Sequence, residues 1–160
     1  MSTFESGNYQ WRETYFVLFD SSQRPTAARV KELLGKLDDR FTISNPQADD
    51  KGNFESVTVL AGGAYAALDI SYLAGEEVLE QGSQLAEELE ELTEDEDELT
   101  KISRLPVCDA RFDVLHFEDM SDAEGEEGGR LDPSALLLVL EALVTLSDGV
   151  AVDPQGGSLV

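Results

Sequence analysis

The chain is short of most of the groups that enzyme chemistry ordinarily draws on. Of its 160 residues one is cysteine, one histidine and one tryptophan, and only 11 are lysine or arginine. A lone Cys108 excludes an internal disulfide and points to a reducing compartment, which we expect to be the cytoplasm. Cys108 and His116 are the chain's only Cys and His side chains, and a structural zinc site needs four such ligands, so that site is excluded. The opening MSTFESGNYQW lacks the basic and then apolar segments of a signal peptide. The most apolar stretch, Ala135 to Leu146, spans twelve residues and carries Glu141, whereas crossing a bilayer takes about 20 apolar residues. It reads as a core helix, and no membrane partner is expected. No GxxxxGK[ST] phosphate loop is present, and Gly62-Gly63 lacks the strand-to-helix setting of a dinucleotide fingerprint, so no cofactor is expected.

What is abundant is acid. The 34 Asp and Glu against 11 cations leave a net charge of −23. Residues 1–60 hold 9 acids and 7 bases, while residues 61–160 hold 25 acids and 4 bases, so nearly all of the excess lies in the second part. Such a field repels phosphates, which argues against direct nucleic-acid binding, and attracts basic proteins. The densest run, EELEELTEDEDELTK at 87–101, holds nine carboxylates in its first twelve positions. It is not an EF-hand loop: counted from Asp95, the sixth position is Thr100 rather than glycine and the twelfth is Pro106 rather than glutamate. We expect no metal site.

With 41% hydrophobic residues the chain can form one domain that buries about 70% of its unfolded surface. Residues 1–7 read as frayed. Asn8 to Asp20 reads as a strand whose run Tyr15 to Phe19 suits burial on both faces. Val30, Leu33, Leu34 and Leu37 recur at helical spacing, predicting a helix over about 25–39 with Pro25 in its first turn. FTISN gives a short strand, PQADDKGN a polar turn, and Phe54 to Ala61 the next strand. Gly62-Gly63 predicts a two-residue hairpin in which Val59 faces Ala66 and Val57 faces Leu68. That register puts Val57, Val59, Ala66, Leu68 and Ile70 on one face. A stripe of Val78, Gly82, Leu85, Leu89 and Leu92 predicts a helix after Gly75, with Gly82 allowing close approach to the sheet. Thr93 and Glu96 form a capping box for a second short helix that Pro106 closes. Arg111 to Glu118 is a strand, residues 119–131 a mobile acidic loop, and Asp132-Pro133 opens the apolar helix. Asp148-Gly149 ends it with glycine in the left-handed position, before a short strand Val150 to Val152. The resulting order predicts an α+β domain: a mixed or antiparallel sheet of about five or six strands covered by helices, ferredoxin-like or a related sandwich.

The candidate sites follow from this placement. His116 shares a strand face with Phe112 and Val114, a structural position, and a Cys108–His116 dyad has no motif around it. No catalytic residue is expected. The acidic face, built from residues 76–98 and 118–127, is the candidate for partner binding, with Glu87, Glu88, Glu91, Glu94, Asp95, Asp97, Glu98, Glu124, Glu126 and Glu127 as its docking residues. The apolar helix over 134–146 is greasy nearly all round, which predicts a homodimer. Its continuation, LLLVLEALVTLSDGVAVDPQGG, resembles the C-terminal ends of small uncharacterised bacterial α+β domains, some of them immunity-protein-like. The segregated acidic face implies a non-enzymatic protein that docks a basic protein surface, as immunity proteins and nucleic-acid mimics do, while the resemblance implies the α+β fold and a bacterial origin. It also makes Asp148 and Asp153, which flank the last strand, possible ligand residues. The competing reading is a small-molecule-sensing regulatory domain, with an enzyme using Cys108 or His116 behind it.

Overall fold

The computed structural model describes residues 8–120 and 131–160. Its strands are β1 (Tyr9–Phe19), β2 (Phe41–Ala48), β3 (Phe54–Ala61), β4 (Ala66–Ala74), β5 (Ala110–Asp119), β6 (Val150–Asp153) and β7 (Ser158–Leu159). They form one open sheet in the order β2-β3-β4-β5-β1-β6-β7, antiparallel at every pairing. Four helices accompany it among the described residues: α1 (Ala27–Gly35), α2 (Glu76–Glu90), α3 (Glu96–Ile102) and α4 (Ser134–Ser147). The protein is therefore α+β as expected, but its sheet has seven strands rather than five or six. The additional one is β7, two residues long and without a periodicity to announce it.

Helices cover the sheet on both sides. On one face Val17 and Phe19 of β1, Val57 and Val59 of β3, Leu68 and Ile70 of β4, and Phe112 and Val114 of β5 pack under α1 and α4. On the other, Leu18 of β1 with Val150 and Val152 of β6 packs under α2 and α3 through Ala86, Leu89 and Ile102. The apolar run of β1 is thus explained: Val17, Leu18 and Phe19 alternate between two cores and are all fully buried. Leu60 and Leu115, on the α2 side of the central strands, belong to neither cluster, so the second layer covers only part of its face.

Several local expectations need correction. Gly62-Gly63 does not make a two-residue hairpin: Ala61 pairs with Ala66 and Val59 with Leu68, leaving four residues in the connection. The positive φ falls on Tyr65, at 51°, rather than on either glycine. Because the register moved by two, the inward set Val57, Val59, Ala66, Leu68 and Ile70 is unchanged. Helix α1 is shorter than predicted, since Thr26 accepts from Arg29 N as its N-cap and Pro25 stays outside. Strand β2 runs on to Ala48 as an irregular edge, with Pro46 and a positive φ at Asn45 blunting its capacity to pair further. Asp95, not Thr93, caps α3 by accepting from Glu98 N. The same helix ends at Ile102, four residues before Pro106, which sits in the next 3₁₀ turn. Leu92 falls in the turn after α2 and is exposed, its place in the buried stripe taken by Ala86. After α4 it is Asp148 that takes the left-handed conformation, with φ 52°. Gly149 is needed for space instead, since a Cβ there would stand 2.7 Å from the Leu18 carbonyl oxygen.

Candidate functional site

The acidic run lies along one layer. Between Glu76 and Glu98 there are twelve Asp and Glu residues and no Lys or Arg, and all twelve are exposed on α2, α3 and the turn between them. The apolar stripe of α2 explains this: with Val78, Gly82, Ala86 and Leu89 turned to the sheet, the acids between them have only solvent to face. Glu87, Glu88, Glu91, Glu94, Asp95, Asp97 and Glu98 are all brought onto this ridge. Glu124, Glu126 and Glu127 lie outside the described residues.

Cations are spent elsewhere. Arg12 pairs with Glu118, Arg24 with Asp49, Lys36 with Glu32, Arg40 with Asp38, Arg104 with Asp148 and Arg111 with Asp113. Among the described residues none of these pairs includes an acid of the 76–98 ridge. Glu98 takes a hydrogen bond from the Thr93 hydroxyl, and Asp95 caps α3; both are local devices that leave the charge in place. Like charges at i,i+4 on a helix cost about 0.2–0.5 kcal/mol per pair, so the ridge opposes its own helices modestly and keeps its field.

Glu118 was expected on this acidic face, and the structure moves it inside. It is 2% exposed and His116 is 1% exposed, two residues apart on the α4 side of β5. The register between β1 and β5 slips between Trp11 and Glu13, which leaves Arg12 in a bulge. Arg12 Nε and Nη2 both donate to Glu118 Oε1, at 2.9 and 2.7 Å. Glu13 Oε1 lies 3.5 Å from His116 Nδ1. His116 Nε2 and Glu118 Oε2 are buried and find no partner among the described residues. Burial pushes the His116 pKa below its usual value, against the pull of Glu13. The alternation of β5 carried a signal for this cluster: Phe112, Val114, His116 and Glu118 share one face, so an acid was sequence-visible at an inward position.

Cys108 and His116 are not brought together. Cys108 packs in the cluster beneath α2 and α3, with Sγ donating to the Arg104 carbonyl at 3.3 Å, while His116 points to the opposite face. Burial also raises the Cys108 pKa, which disfavours the thiolate a nucleophile requires. No group of three or more Asp, Glu, His or Cys among the described residues is arranged to hold a metal ion.

Asp148 and Asp153 part company. Asp153 Oδ1 accepts from Gln155 N and Gly156 N, which ties it into its own turn. Asp148, with a side chain 88% exposed, stands at the lip of a cavity of about 280 Å³ shared with Asp20, Ser22, Arg104, Cys108 and Ser147. There Arg104 Nη2 donates to the Asp148 carbonyl. No helix among the described residues is long and apolar enough to cross a membrane. No family model matches the chain, and neither a curated protein nor a solved structure matches it.

Proposed function

We propose that the protein is a non-enzymatic binding protein whose α2–α3 ridge docks a basic protein surface, in the manner of an immunity protein or a nucleic-acid mimic. One observation carries this reading: twelve exposed carboxylates share a continuous stretch with no cation among them, while six of the chain's 11 cations are paired with acids elsewhere. Acidity that served solubility alone would not need to be segregated in this way. An unneutralised ridge speeds encounter with a positive surface and rejects partners of like charge. Exposed Leu92, at the turn between the two helices, adds an apolar contact point beside the acids. A kinship with the ferredoxin-like sandwich belongs to the same proposal, supported by the β-α-β-β order of residues 9–61 and by α1 and α4 on one face.

The experiment is capture on immobilised protein at about 0.1 M and about 1 M salt, where the screening length falls from about 10 to 3 Å. It is paired with a variant in which Glu87, Glu88, Glu91 and Glu94 become Gln. A basic partner is expected at low salt, released at high salt and lost by the variant. Capture that is indifferent to both changes overturns the proposal.

A further inference from the structure

We propose that the groove beside α2 is a binding site for a small zwitterionic ligand of amino-acid size, one carrying a carboxylate, an ammonium and an apolar side chain. A cavity of about 220 Å³ opens there, lined by Phe16, Gln81, Gln84, Leu85, Glu88 and Arg111. Drug-sized ligands occupy about 300–1,000 Å³, so this space takes something smaller.

Arg111 is the fixed point. Its side chain is 11% exposed, with Nε donating to Asp113 Oδ1 at 2.7 Å and Nη1 donating to Gln81 Oε1. Its guanidinium carbon lies 4.2 Å from the centre of the Phe16 ring. Held on three sides, the guanidinium has little conformational freedom left to lose, while Nη2 is engaged by no described residue. The N–H groups of Nη2 can donate to a carboxylate oxygen in a charge-assisted hydrogen bond, and pre-organisation lowers the cost of binding one.

The charge balance then narrows the ligand. Asp113 already neutralises Arg111, and Glu88 adds a negative charge on the wall, so a simple anion would meet net repulsion. A molecule that brings its own ammonium removes the conflict: the carboxylate goes to Arg111 Nη2 and the ammonium to Glu88, which is exposed and has no cation partner among the described residues. Phe16 and Leu85 offer apolar surface in the same groove, and Gln81 and Gln84 complete its lining. The groove is assembled from β1, α2 and β5, which keep their positions through the packing of α2 on Leu18.

The test is isothermal titration of the full chain with leucine and phenylalanine. Alongside run the matching amines without the carboxylate and the matching carboxylates without the amine. Saturable binding is expected for the zwitterions and weaker by about tenfold or more for either half-ligand. Glu88→Gln, on an exposed helix face, should weaken zwitterion binding by a similar factor with the unfolding midpoint unchanged, and Arg111→Lys should abolish it. No saturable heat from either amino acid in the millimolar range overturns the proposal. So does equal affinity in wild type and Glu88→Gln, or equal binding of carboxylate and zwitterion. Because Arg111 lines the groove and is not one of the ridge acids, normal capture of a basic partner by Arg111→Lys separates failure here from failure of the docking ridge.

Discussion

Gly82→Ala sets two effects of known size against each other at one position. In a helix interior alanine is favoured over glycine by about 0.8–1.0 kcal/mol, and Gly82 lies well inside α2. A Cβ at that site, however, would stand 2.6 Å from the Leu105 carbonyl oxygen and 3.4 Å from Leu18 Cδ2. The first of these is backbone, in the 3₁₀ turn Leu105–Val107, and the same oxygen accepts from Cys108 N at 3.1 Å. It cannot swing aside as a side-chain tip would. Helix α2 must move outward, loosening Ala86 and Leu89 from Leu18, and overpacking of this kind costs about 1–3 kcal/mol. With a backbone obstacle the upper part of that range applies, and the propensity gain offsets only about 1 kcal/mol of it. We expect Gly82→Ala to destabilise the protein by about 1–2 kcal/mol. Urea unfolding followed by far-ultraviolet circular dichroism measures it as a lower midpoint at unchanged slope. Ser83→Ala, next along the helix and exposed, is the control and should change stability by no more than about 0.5 kcal/mol. A Gly82→Ala midpoint at or above wild type would refute the close-approach reading of α2.

The buried cluster of β5 makes two further predictions. Arg12 is about a third exposed while its partner Glu118 is buried. Arg12→Ala should therefore cost about 2–3 kcal/mol, less than the 3–5 of a fully buried partner because solvent screens the remaining carboxylate. Arg12→Met with Glu118→Met should recover most of that loss in the same urea titration, and a double variant no better than the single would refute the assignment. For His116 the folded pKa lies below the unfolded value of 6.5, so the unfolded chain binds more protons between the two. Stability should then fall as pH drops below about 6.5, by up to about 1.4 kcal/mol per pH unit, relative to a His116→Gln variant titrated in parallel; parallel curves for the two proteins would show that His116 is not buried neutral.

How much of this was legible in the sequence depends on which property each residue reports. Period and composition report faces, so β1, the inward set of the β3–β4 hairpin, the buried side of α2 and the acidic ridge were readable. Turn geometry is decided by contacts the sequence does not display. Gly63 has negative φ but stands against Arg40, since a Cβ there would lie 2.7 Å from Arg40 Nη1. Gly149 is kept small by the Leu18 carbonyl, and the left-handed residues at these two turns are Tyr65 and Asp148. Leu92 matched the helical stripe by spacing, yet the chain leaves α2 at Glu90 and its side chain misses the core. Spacing predicts a face only while the helix lasts.

The two candidate sites differ in the same respect. The ridge is consecutive in the chain, and its signature survives any arrangement of the sheet that leaves α2 amphipathic. The groove draws Phe16 from β1, Arg111 from β5 and four residues from α2, so no window of sequence contains it. By sequence alone Arg111 is only the first residue of a strand. Only the antiparallel pairing of Leu18 with Arg111 and of Phe16 with Asp113 sets that guanidinium beside a phenyl ring and a carboxylate on the face that α2 crosses. A site of that kind depends on register. A one-residue slip between β1 and β5 would carry Arg111 and Asp113 together to the α4 face, against Phe19 and Val17, shutting the ion pair among core side chains away from water. The burial of two charged groups from that slip would cost several kcal/mol. The Arg111–Asp113 pair therefore constrains the same strand pairing that creates the groove.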